Sequence, residues 1–125
     1  MNTYLVNILQ IIVGLGLLNV WLLRFNKSTA FRGGTSANML EEFAAYGLPA
    51  WFCYLIGFLK VSCALALLAG LLYPALVFPA AAVITLLMAG AISAHLSVKD
   101  PAIKSLPAAS VLIMCLIILA ATRPS

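Results

Sequence analysis

The chain has 125 residues, 65% hydrophobic and only 8% charged, with seven Lys and Arg against three Asp and Glu and a net charge of +4. A soluble domain is nearer half apolar and about a quarter charged, so this composition excludes an ordinary water-soluble fold and points to one membrane domain over residues 1–125. The basic residues form no stripe with aromatics between them, which argues against nucleic acid as a partner.

Four apolar runs follow in order, at residues 4–23, 49–72, 74–96 and 106–122. Each approaches the roughly 20 residues that cross about 30 Å of hydrocarbon. The first lacks a basic segment before it and an A-x-A-like cleavage site, so it reads as a retained span and not as a signal peptide. Pro74 and Pro107 fit first-turn positions, where a missing N–H costs little. Pro79 lies in the first turns of the third span, where it can bend the helix. Residues 24–48 are more than a linker. After Gly33-Gly34, Asn38 and Glu41 have the spacing of a capping box, and Met39, Leu40, Phe43 and Tyr46 recur at helical period. Gly47 supplies a stop before Pro49. The expected fold class is therefore all-α, a four-transmembrane-helix bundle with a short amphipathic helix in the first loop.

A four-span topology puts Arg24, Lys27, Arg32, Lys99 and Lys104 on one side and Arg123 on the other. The positive-inside rule then places both loops in the cytoplasm and both termini outside.

Lys60 is the most informative residue, because a charge near the centre of an apolar span costs at least about 2.5–3.5 kcal/mol and must face protein or water. It shares a helix face with Cys53, Gly57 and Ala64, small residues that admit a close neighbour. Asn7, Gln10 and Gly14 make an inward stripe on the first span, with Gln10 about one turn from Lys60 in depth, and Thr85 lies at similar depth on the third. No Asp or Glu occurs in a span, so Glu41 and Glu42 of the loop are the nearest available acids. Three readings of Lys60 stay open: a structural cation held by dipoles, a ligand-facing cation or neutral amine, and a contact to a partner subunit's acid. His95, the sole histidine, ends the third span, and its natural companions are Glu41, Glu42 or Asp100. One histidine excludes a bis-histidine haem or histidine-rich metal site within the chain. Cys53, Cys63 and Cys115 show no C-x-x-C pair or zinc spacing, and read as small buried residues. Candidate binding residues are thus Lys60, His95, Glu41, Glu42, Gln10 and Thr85. No catalytic set, metal site or cofactor signature is read from the chain.

Several stretches, taken in order, resemble the DoxX-like family of small four-helix membrane proteins. They are Tyr46-Gly-Leu-Pro-Ala50, Gly57-Phe-Leu-Lys60, Met88-Ala-Gly-Ala91 leading to His95-Leu96, and Asp100-Pro101 followed by Leu106-Pro-Ala108. The resemblance as a whole covers about residues 14–119. The resemblance implies Glu or Lys at the position of Lys60, cytoplasmic termini and a bacterial inner membrane. It also implies a choice of roles, since members include membrane subunits of oxidoreductases such as thiosulfate:quinone oxidoreductase, proteins of thiol homeostasis, and an assembly factor for nicotinic receptors. The leading expectation is an accessory or assembly subunit without catalysis of its own, bound to a protein partner or to further copies of itself. The alternatives are a membrane subunit of a quinone- or sulfur-linked oxidoreductase, with a quinone at Lys60, and a small-molecule transporter. Transport of cations is disfavoured because no span carries a carboxylate to couple it and a central Lys60 would repel cations.

Overall fold

A computed structural model describes residues 3–27, 29, 31–34 and 36–123. Helix α1 (Thr3–Leu18) runs into a five-residue π-helical turn (Asn19–Leu23). The first loop carries α2 (Met39–Ala45). Helices α3 (Ala50–Ala69), α4 (Val77–Ser97) and α5 (Leu106–Thr122) complete the bundle, the last two entered through 3-10 turns at Pro74–Leu76 and Ala102–Ser105. No strand occurs among the described residues. Four helical segments are long and apolar enough to cross a membrane: Thr3–Leu23, Ala50–Ala69, Pro74–Ser97 and Ala102–Thr122. The second is shorter than the 49–72 expected, because the chain turns after Ala69, and the fourth gains a preceding 3-10 turn.

The spans form a ring in which α1 touches α3, α3 touches α4, α4 touches α5 and α5 returns to α1. This is the up-down arrangement that short connections favour. The α3–α4 hairpin is tight because Gly70 lets Val77 come close, and a Cβ there would sit 2.4 Å from Val77 Cγ2. The core divides into two layers. Val13, Leu17, Ala64, Leu67, Ala81, Ile84, Met88, Cys115 and Ile118 fill the end away from the two polar loops. Trp21, Met39, Phe43 and Cys53 fill the loop end, where α2 lays its apolar face on the spans. Lys60 falls at the level between the layers, one turn from Gly57 and one from Ala64.

Local chemistry explains how α2 begins and ends. Asn38 Oδ1 accepts from Glu41 N at 2.9 Å and its amide donates to Glu41 Oε2 at 2.7 Å, the reciprocal cap expected from the spacing. At the other end Gly47 turns left-handed at φ 80°, with Gly47 N–Ala44 O at 2.9 Å and Leu48 N–Phe43 O at 2.9 Å. That pair of bonds is a Schellman stop. Helix α4 stops the same way, with Lys99 at φ 58°, Lys99 N–Leu96 O at 3.1 Å and Asp100 N–His95 O at 3.0 Å. The stop folds Asp100 back over His95.

Candidate functional site: a polar network across the two loops

Arg32, directly before Gly33-Gly34, is 5% exposed and closes the end of the first span. Its guanidinium donates to the carbonyls of Arg24, Phe25 (3.3 Å) and Lys27 (2.9 Å), all beyond the last helical turn. The guanidinium thereby ties together the turn that follows the helix, where Arg24 O and Phe25 O also accept from Lys27 N and Met39 N. The same guanidinium reaches Met39 Sδ at 3.3 Å and pairs with Glu42 Oε2 at 3.4 Å.

Glu42 is the next member. Its Oε1 accepts from Gly33 N at 2.8 Å and from the Tyr46 hydroxyl at 3.3 Å. Tyr46 lies one turn on along α2 and leads to the far loop. Its hydroxyl stands 3.2 Å from His95 Nδ1 and 3.4 Å from Nε2, and the two rings meet edge to face at 5.6 Å. His95 Nδ1 then pairs with Asp100 Oδ2 at 2.8 Å. Asp100 Oδ1 accepts from Gly34 N at 3.0 Å and lies 3.8 Å from Lys104 Nζ, which also donates to the carbonyl of Gly34. The row Arg32–Glu42–Tyr46–His95–Asp100–Lys104 thus runs from the first loop to the third and returns to the first at Gly34.

Hydrogen-bond accounting constrains the row. A carboxylate only accepts, so Nδ1 carries the proton facing Asp100. Tyr46 has one proton to give, with Glu42 Oε1 and the imidazole both facing it. Burial, then the charge and hydrogen bond of Glu42, hold the Tyr46 phenol far above its ordinary pKa, so it stays neutral. For Asp100 burial acts upward, but the His95 hydrogen bond, the Gly34 N–H and Lys104 outweigh it and hold the carboxyl below the usual range.

The predicted site residues fall into separate places. His95 and Glu42 meet through Tyr46. Glu41 is exposed and serves the α2 cap. Gln10 does not approach Lys60. It donates instead to Leu67 O at 3.0 Å, a carbonyl in the last turn of α3. Thr85 bonds back to Ala81 O at 2.8 Å within α4. Lys60 turns toward the loop end, with Nζ 5.2 Å from the centroid of the Trp21 ring. That distance is within cation–π range. It forms no ion pair among the described residues. The three cysteines are free. Sequence reasoning passed over Arg32, Tyr46 and Lys104. The signal available for Arg32 was its place before Gly33-Gly34, whose backbone N–H groups both turn out to bind carboxylates.

The model of the DoxX-like family matches residues 17–120. The chain belongs to the DoxX-like family. The match spans α2, Lys60 and the whole polar network. Four apolar spans agree with a family of integral membrane proteins. No curated protein and no solved structure matches the chain.

Proposed function

We propose that the protein is an accessory or assembly subunit of a larger complex in a bacterial inner membrane, with no catalysis of its own. The supporting observation is the closed polar row. Arg32, Glu42, Tyr46, His95, Asp100 and Lys104 are each paired with another member or with backbone. Such pairing braces the two loops into one platform on the bundle. A rigid platform above apolar helix faces suits holding a partner subunit or another copy. The test is mild-detergent extraction of a tagged chain followed by native gels and mass spectrometry of co-purifying protein. The expected result is a particle larger than one chain that contains a reproducible partner or several copies. A lone monomer, with every membrane complex intact in a deletion strain, overturns the proposal.

A second reading is favoured by a particular part of the row. Asp100, His95 and Tyr46 form a line of proton-carrying groups at the end of a span, an arrangement that suits exchange of protons with a reduced quinone or sulfur compound. A quinone or flavoprotein that co-purifies with wild type but not with His95→Gln would support this oxidoreductase-subunit reading. Unchanged quinone content in His95→Gln would remove it.

A further inference from the structure

Outside the polar network, a groove opens on the outer face between the first and second spans. It is lined by Trp21, Leu22 and Phe25 on one side and by Tyr54, Gly57, Phe58, Val61, Ser62 and Leu65 on the other, and is a wide-open cleft of about 570 Å³. That volume is in the range of small-molecule sites. It runs from Phe25 and Tyr54 at the loop end to Leu65, roughly 16 Å deeper at 1.5 Å per residue. Its walls are apolar and aromatic.

Trp21 connects this groove to Lys60. The indole seats on Gly57, where an added Cβ would come within 2.7 Å of the ring, so the absence of a side chain there creates the contact. The ammonium of Lys60 stands over the same ring at 5.2 Å. Lys60 keeps part of its surface open and has no ion pair among the described residues. Trp21 itself lies in the π-helical turn Asn19–Leu23. Such turns are uncommon and frequent at functional sites, because an extra residue per turn places a side chain that a regular helix would direct elsewhere.

We infer that this groove binds a single-tailed anionic amphiphile, a long-chain carboxylate, entering from the bilayer with its headgroup beside Trp21 and paired to Lys60. Charge complementarity selects this occupant. A cation at this depth gains more from an anion than from an indole face, and lipid supplies the apolar tail that Phe58, Val61 and Leu65 receive. Lys60 is not itself in the groove wall, so to meet a headgroup beside Trp21 its ammonium turns from the ring face toward the ring edge, a movement that four rotatable bonds allow. The inference does not depend on the accessory role.

The experiment uses the full chain carrying Trp51→Phe in neutral phosphatidylcholine nanodiscs, leaving Trp21 as the one tryptophan. A dibrominated long-chain fatty acid is titrated near neutral pH, and its methyl ester in parallel. The expected result is saturable quenching of Trp21 by the acid, with gradual partition-type quenching by the ester. Lys60→Met should weaken the half-saturation point at least about tenfold, the size of a charged hydrogen bond. Lys60→Arg should retain saturation. Should Lys60→Met fail to insert, the acid–ester comparison and Lys60→Arg still decide. Superimposable acid and ester curves, or an unchanged midpoint in an inserted Lys60→Met, overturn the assignment.

Discussion

Asp100 accepts from the backbone of Gly34, 66 positions away, while pairing with His95 and Lys104. Replacing it by Asn removes the carboxylate that His95 and Lys104 share and should cost about 1–3 kcal/mol at neutral pH, seen as a lower melting temperature in detergent. Because the folded carboxyl is held below its unfolded value, its contribution is complete above about pH 4 and is lost as pH falls through the folded pKa. The wild-type and Asp100→Asn melting curves should therefore converge in acid. Tyr46 behaves in the opposite sense. Its folded pKa is raised, so the stability it contributes is complete below about pH 10 and declines above it as the unfolded phenol ionises. Tyr46→Phe should remove that part of the alkaline loss, measured as the difference between the two variants' melting temperatures from pH 8 upward.

Elements whose logic is local could be read directly. Asn38 and Glu41 sit three apart and cap α2, and Gly47 ends it, because both devices use only neighbouring backbone. The π-helical turn was not legible. No Pro or Gly marks residues 19–23, and its register serves Trp21 on Gly57, a contact between spans. Two glycine substitutions separate these cases. Gly57→Leu should cost about 1–3 kcal/mol by displacing the indole, whereas Gly90→Ala, with nothing within 4 Å of its added Cβ, should leave the melting temperature nearly unchanged. The α4 stop offers a gain. Lys99 occupies a left-handed conformation at φ 58° that glycine adopts freely, so Lys99→Gly should stabilise by about 1 kcal/mol.

At the scale of the molecule, spans and charge bias were legible from hydropathy alone, whereas the binding locus was only partly so. His95 with a loop acid followed from its position at a span end. Arg32 and Lys104 did not, since Arg32 binds carbonyls placed by the folding of the first loop back on itself and Lys104 binds one placed by the meeting of the two loops. Gln10 was misplaced because helical depth alone cannot show that an amide will be taken by the orphan carbonyl of Leu67. The Gly34–Asp100 bond puts both loops at one end, where Arg24, Lys27, Arg32, Lys99 and Lys104 gather opposite Arg123. Whereas the family resemblance implies cytoplasmic termini, the positive-inside rule predicts that this end faces the cytoplasm. A membrane-impermeant maleimide added to intact cells should then label Arg123→Cys and spare Lys27→Cys, and the reverse pattern would invert the orientation.

The interloop row also has a temporal side. Arg32 and Glu42 lie ten positions apart and can meet as soon as the first hairpin is made, yet Tyr46 and Gly34 must wait for His95 and Asp100 to be synthesised. A chain stalled before the third loop therefore carries a half-built row, Arg32–Glu42–Tyr46, with the Gly34 N–H still lacking its Asp100 carboxylate. The row thus closes only once the last loop has been made, so its polar bonds distinguish a finished bundle from an unfinished one.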